Sequence, residues 1–457
     1  WLLAAMAGCP RIAQRMTETP QWLADGSGRG LERCSLLGVL LQQSPLSSAA
    51  VAPALHRALE QPLAGDIQRE EAAVREAVDM GAHIAGLVFD RFLGAGATPL
   101  LRERACDWVR AVLHANRDRE KLRRDWTKVS SEGFVANLAR AVVGQACALV
   151  RDWRVLDPAF AHAYPEAVPL YDASPLALAS EAQAALVCEV QRGDVAAREA
   201  NTLFYLAGAC FHVGYVLLRQ EMTTVRNNIA VLVREKEAIA RDVAVDPQAQ
   251  HVLRRVEHQL RQLLTIHLCA RVHLANVAFL DRAAEYFATL CKLALNKLGP
   301  IDIDQSKESE PKEGDGEEKL PEGFGALPSV LLGDLGAFFE MAPEDGYAFL
   351  PEPLGPILEL VVRLLGSRGH LNAAYLRPQF VDGLAALLDV ATSVHLRQCV
   401  PEGARACLLA LRCVCQYMQR PRTAEFTRAF VCARLRADED GALRLAAVCC
   451  DCAELPL

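Results

Sequence analysis

Apolar residues recur at three-and-four spacing along most of this chain, the pattern of helices that each bury one face. Two runs show it most sharply: Ala105, Trp108, Val109, Val112 and Leu113, and then Phe134, Leu138, Val142, Ala146, Leu149 and Val150. The polar stretch between them carries Asn116, Arg117 and Trp126 and ends in Ser130-Ser131-Glu132-Gly133. Serine hydroxyls cap helix starts and glycine permits a tight turn, so the spacing predicts a helical hairpin over 102–150 with Ser130 and Ser131 as caps and Gly133 as the bend.

Further elements follow from the same rule. An apolar helix within Ser35–Leu46 is stopped by Ser44-Pro45, because proline disfavours helical angles in the residue before it. A long helix over 66–93 starts charged and turns apolar, and a turn at 94–99 leads into the hairpin. After punctuation at Asp157-Pro158, Tyr164-Pro165 and Ser174-Pro175, helix resumes at 182–190. The most apolar run, Leu203–Leu218, has 16 residues without a formal charge. A bilayer span needs about 20, so the run reads as a helix buried among other helices. Met222, Val225, Ile229, Leu232, Ile239 and Val243 approximate a heptad seam that Lys236 interrupts; with fewer than four clean heptads, ordinary amphipathic packing is expected. Val252, Val256, Leu260, Leu263 and Leu264 continue the pattern toward Leu298. Residues 302–323 are charged and poor in apolar side chains, a composition that predicts disorder. Helical patterns return at 331–341, 354–365 and 371–390, and again within 404–452.

Composition narrows the architecture. The chain is 52% hydrophobic but only 6% aromatic, which favours helix-on-helix packing over sheets, and 457 residues exceed one compact core, so an all-α, repeat-like body is expected. A net charge of -7 offers no bulk attraction for nucleic acid or anionic membrane. The 16 cysteines sit at no regular spacing within apolar helical patterns, and read as reduced, buried thiols. Trp1 in place of an initiating methionine leads us to expect a piece of a longer product.

Candidate chemistry is sparse. Gly26-Ser-Gly28-Arg-Gly30 lacks the preceding strand and following Gly-Lys-Ser/Thr of a phosphate loop, so a flexible turn is expected. Cys449-Cys450-Asp451-Cys452, with Cys407, Cys413, Cys415, Cys432 and His395 nearby, lacks the two separated pairs of a zinc site and reads as packing. His212 and His267 lie on apolar faces, as core or boundary residues do. Arg117-Asp-Arg119-Glu-Lys121-Leu-Arg123-Arg124 mixes both charge signs and reads as a solvated helix face. No protease, hydrolase, nucleotide or dinucleotide motif is present. No catalytic, cofactor or metal residue is named, and no cofactor is expected.

Four stretches in order carry a resemblance. Ser35–Leu46; Leu113-His-Ala-Asn116-Arg117 with Ser130–Leu138; Asn201–Gly214; and Ala374-Tyr375-Leu376-Arg377-Pro378–Leu384 together resemble the core of the ubiquitin chain-elongation factors, the ubiquitin-fusion-degradation family of U-box ligases. Ala374 stands where that family has proline, and Glu132 where it has aspartate. The resemblance implies an elongated armadillo-like stack of helical hairpins, an α-solenoid, with a flank at 1–34, a first part of the core at 35–301, the acidic insert at 302–323, and a second part at 324–457 that ends cysteine-rich and without a U-box. It further implies a ubiquitin ligase, cytoplasmic and nuclear, active in proteasomal and endoplasmic-reticulum-associated degradation. Its partners would be a ubiquitin-conjugating enzyme, ubiquitylated substrates and an AAA segregase. A non-enzymatic α-solenoid adaptor is the alternative.

Overall fold

A computed structural model describes residues 2–23, 26–46, 64–121, 124–168, 195–242, 247–298, 324, 326–344, 346–366, 379–380 and 383. The described residues are helical and contain no strand, as the all-α reading expects. The helices expected within 182–190 and 404–452, the insert at 302–323, most of 371–390 and the C-terminal cysteines lie outside them.

The chain divides into two compact units. The first comprises residues 1–151, 166–170 and 194–279. It opens with short helices α1 (Leu2–Ala7), α2 (Pro10–Thr17), α3 (Gly28–Cys34) and α4 (Leu36–Leu41), followed by the long α5 (Ala64–Leu93). Helix α6 (Pro99–Ala115) begins where Thr98 accepts a hydrogen bond from the Leu101 amide and proline occupies the first turn, whose amide needs no partner. Helix α7 is Glu132–Leu149. The second unit comprises 152–165, 171–193 and 280–457, and includes the helical turn α8 (Phe160–Ala163).

The apolar run at 203–218 is the centre of the first unit. It spans α9 (Val195–Phe211), a π turn at His212–Val216, and the start of α10 (Leu217–Asp242). The helical stretch Ala196–Arg241 is long enough to cross a membrane and holds an 18-residue window apolar enough to do so, with a mean hydropathy of 1.4 in that window; two bent helix pairs pass the same test. In this fold 89% of that apolar window is buried against other helices. The π turn admits close backbone approach: a Cβ on Gly214 would collide with the carbonyl oxygen of Val135 on α7.

Two expectations are corrected here. Helices α6 and α7 do not form a simple hairpin across a short hinge. They touch through Trp108 and Phe134, with ring centroids 6.4 Å apart, but most of their surfaces pack against α9 and α5. The connection, residues 116–131, is too long for a tight bend and forms a folded element of its own. The run from Met222 packs amphipathically, as expected, but Val252, expected on the apolar stripe of the next helix, is exposed. Helices α10 and α11 (Pro247–Leu274) make the most extensive helix pair among the described residues. Met222, Val225, Ile229, Leu232, Lys236 and Ile239 of α10 and Leu253, Val256, Leu260, Leu263 and His267 of α11 are all buried or half-buried. Lys236 takes an a/d-type position and pairs with Glu257 at 3.1 Å. The far end of α11 returns to the body, where Cys269 and Val272 join Val74 and Val78 of α5 in one cluster.

Helix α12 (Val277–Leu298) enters the second unit at Leu280, and with α13 (Ser329–Glu344) and α14 (Pro351–Gly366) covers the expected runs. Phe287 stacks on Phe338 at 5.1 Å, and Phe338, Tyr347 and Phe349 close the cluster. Gly346 turns the chain after α13 with φ of 83°, a backbone angle that glycine adopts without strain. Phe380 is fully buried, and Gly383 lies so close to Phe339 that any side chain would clash.

Candidate interaction site

The segment between α6 and α7 is built from the inside outward. Trp108 is fully buried, edge-on to Phe89 and Phe134, and its indole N–H donates to Ser35 Oγ at 3.2 Å. Ser35 Oγ also accepts from the Gly38 amide as N-cap of α4 and donates to the Leu31 carbonyl at 2.6 Å. One serine thus joins α3, α4 and α6, which is why the Ser35 and Trp108 motifs belong together.

Above this lies a buried polar layer. Asn116 Nδ2 donates to Ser130 Oγ at 3.0 Å, and the Ser130 amide donates to Asn116 Oδ1 at 2.8 Å. Ser130 Oγ donates to the Gly28 carbonyl at 2.9 Å. The expected capping pair is therefore divided. Ser131 alone caps α7, accepting from the Phe134 amide, while Ser130 fastens the loop to α3. Gly133 makes no bend: it sits in the first turn of α7. The glycine stretch at 26–30 is not a flexible turn either. Ser27 caps α3, and a Cβ on Gly28 would lie 2.8 Å from the Ser130 amide nitrogen. That glycine serves a close approach to the connecting segment.

Charge completes the layer. Glu32, only 2% exposed, accepts from the Ser131 amide at 2.8 Å and hydroxyl at 2.6 Å, and pairs with Arg29 at 3.1 Å. Arg119, fully buried, donates to the Ser130 carbonyl at 2.6 Å and pairs with Glu132. The expectation of a solvated face over 117–124 fails at Arg119. Alternating charges conceal which cation turns inward, because the short 3-10 turn Arg117–Glu120 rotates side chains differently from an α-helix.

What this layer displays is Trp126. Among the described aromatic side chains it alone is exposed, at 46%. Its carbonyl accepts from Arg29 Nε at 3.4 Å, and the Arg124 guanidinium lies 5.4 Å from its ring centre while pairing with Glu221 of α10 at 3.2 Å. Asp125 accepts from the Thr127 hydroxyl at 2.6 Å and from its amide; these bonds, with Lys128, hold its carboxyl below the usual range. The Lys121 hydrogen bond does the same for Asp118. His212 of the π turn reaches Glu120 at 3.5 Å. An exposed tryptophan with the Arg124 guanidinium over its ring has the make-up of a protein-contact hot spot.

Among the described residues no catalytic constellation accompanies it. Among the described residues no group of His, Cys, Asp and Glu is disposed to hold a metal ion. Cys106, Cys210, Cys269 and Cys291 are buried free thiols, with Cys9 and Cys34 exposed and Cys147 half-buried, so the expectation of buried thiols holds for part of the set. Burial pushes the Cys106 thiol up to about 12 and Cys269 to about 11, which keeps both protonated and unreactive. Burial also lowers His267, whose neighbours Arg226 and Arg271 act in the same sense.

The family model for the ubiquitin elongating factor core matches residues 37–400. The chain belongs to that family. The elongating factor core thus covers α4 through the described part of the fourth motif. It includes the whole connecting segment and nearly the same span as the four sequence stretches. Its membership places the protein in ubiquitin chain elongation, related to the ubiquitin ligases.

Proposed function

We propose that this elongating factor core is a holding surface: it binds a ubiquitylated substrate beside a ubiquitin-conjugating enzyme, and the segment around Trp126 contacts the substrate. The family match carries the first part and the pinned, exposed tryptophan supports the second. A ligase of this kind provides no nucleophile. It holds the acceptor lysine near the thioester of the conjugating enzyme, which makes a bimolecular transfer effectively unimolecular. The protonated buried thiols agree with that division of labour.

The finer reading follows the resemblance: a U-box in the full gene product recruits the conjugating enzyme, an AAA segregase docks on an armadillo-like stack, and the protein works in cytoplasm and nucleus in proteasomal and endoplasmic-reticulum-associated degradation. The test is chain elongation by the full-length gene product, with activating enzyme, conjugating enzyme and a ubiquitin-fusion substrate. Growth of chains is expected, with Trp126→Ala raising the substrate KM about tenfold, the equivalent of losing one hot-spot contact of roughly 1.4 kcal/mol. No chain growth by the wild-type protein would favour a non-enzymatic adaptor.

A further inference from the structure

Over 226–241 of α10 and 250–262 of α11, the positions that are not exposed are those of the shared seam, together with Glu257 and Arg261. The remaining side chains of both stretches meet solvent. The two stretches carry seven Arg or Lys against three Glu, a net charge of +4 in a chain whose total is -7. One of those acids, Glu257, is already paired with Lys236 at 3.1 Å.

The sign is most uniform on α11. His251, Arg254, Arg255, His258 and Gln262 fall at i, i+3, i+4, i+7 and i+11, which puts them on one helical face, opposite Leu253, Val256 and Leu260. All five are exposed. No carboxylate stands on that face, and Arg255 has none three or four positions away in either direction. Arg254 and Arg255 make no ion pair among the described residues. A solvated face ordinarily mixes both signs, because like charges at this spacing repel. Beside the basic face runs a line of exposed residues seven positions apart, Val252, Gln259 and Ile266, with Val252 43% and Ile266 42% exposed. Seven-residue spacing stays close to one line along a helix, here about 21 Å from first to last.

We propose that this face of α11 docks an acidic amphipathic helix of a partner protein. Apolar side chains of that helix at seven-residue spacing meet Val252 and Ile266, and carboxylates on its adjoining edge meet Arg254 and Arg255. A line of apolar points flanked by bases is the complement of such a helix. Polyanions fit it less well: the negative total charge repels long nucleic acid, and a membrane-surface helix needs a continuous apolar face, which Gln259 breaks. The surface is separate from Trp126, which lies between α6 and α7, so it adds a second partner to the proposed substrate contact.

Titration of the 457-residue chain with a fluorescein-labelled helical peptide of about three heptads tests this, the peptide having leucine once per heptad, glutamate on the neighbouring rows and alanine elsewhere. Saturable binding is expected, at least about tenfold weaker in the double variant Arg254→Glu with Arg255→Glu, and weaker also in Val252→Ser with Ile266→Ser. A peptide with lysine in place of glutamate should prefer the charge-reversed variant to the wild type. Trp126→Ala should bind the acidic peptide as the wild type does. All four substituted residues of α11 are exposed, so the variants should unfold at the wild-type midpoint. No binding by the wild type, or equal binding by the charge-reversed variant, would overturn the proposal. Unchanged binding in the double serine variant would reduce it to unspecific charge attraction and overturn it equally. Tighter binding of single-stranded RNA or anionic vesicles through the same arginines would give the face to a polyanion. A dimer of the wild-type chain that the charge reversal dissolves would give it to a second copy; either result would overturn the partner helix.

Discussion

Two regions of the first unit use helices in opposite ways. The segment between α6 and α7 is held by buried polar groups with particular partners: Ser130 with Asn116 and Gly28, Glu32 with Ser131, Arg119 with Glu132. The α10–α11 pair is held by a repeating apolar seam, crossed by one lysine–glutamate pair, with Val231 and Val252 exposed on its outside. The first arrangement orders a single loop conformation and fails if one partner is removed. The second tolerates change, because each seam residue contributes a small, similar share. A display site belongs on the first kind of element, where the backbone beneath Trp126 cannot shift.

Substitutions that probe the contrast should differ in size. Trp108→Ala removes a fully buried ring and the Ser35 bond, and should cost about 3–5 kcal/mol in chemical denaturation. Arg119→Met leaves Glu132 buried without its partner and should cost roughly 3 kcal/mol. Adding Glu132→Gln should recover part of that loss, and full additivity of the two changes would contradict a coupled pair.

Acid should act on His273. Burial first, and Arg140 second, hold its pKa well below the ordinary value, so the folded protein resists protonating it while the unfolded chain does not. Stability is therefore intact above about pH 6.5 and falls as pH drops below it toward the folded pKa. His273→Gln should flatten the midpoint against pH between about 7.5 and 5.5; an unchanged slope would remove this histidine as a cause.

The seam of α10 and α11 should respond less. Leu260→Ala, at a half-buried position, should cost less than about 2 kcal/mol, below the usual range for fully buried leucine. Lys236→Leu should stabilise the pair by up to about 1 kcal/mol, since a polar a/d residue trades stability for register. A loss of stability would mean that the pair with Glu257 contributes more than an apolar seam contact would.

The sequence foretold the helices better than their partners. Apolar spacing located α5, α6, α7 and the buried run at 203–218, because burial on one helical face leaves a periodic trace. It did not show that α6 and α7 separate around α9, since a stripe says only that something covers it. Nor did it show which of Arg117, Arg119 and Arg124 turns inward, because that depends on one 3-10 turn. Gly28 and Gly133 read as loop formers, and only their neighbours reveal one as a contact point and the other as part of a helix. Trp126 was visible as an unusual residue between two helices, but its exposure follows from the network beneath it. His273 drew no attention, as its role comes from Ser44 and Arg140, each more than a hundred positions away in the chain.

The measurement nearest the central claim is binding of a ubiquitin-fusion substrate to this 457-residue chain by calorimetry, with wild type beside Trp126→Ala. The account predicts that the wild type binds and that the variant binds about tenfold more weakly, with unfolding within about 0.5 kcal/mol of wild type because an exposed ring adds little to stability. Equal affinity for both proteins, or no binding by either, would contradict a core that holds its substrate at Trp126.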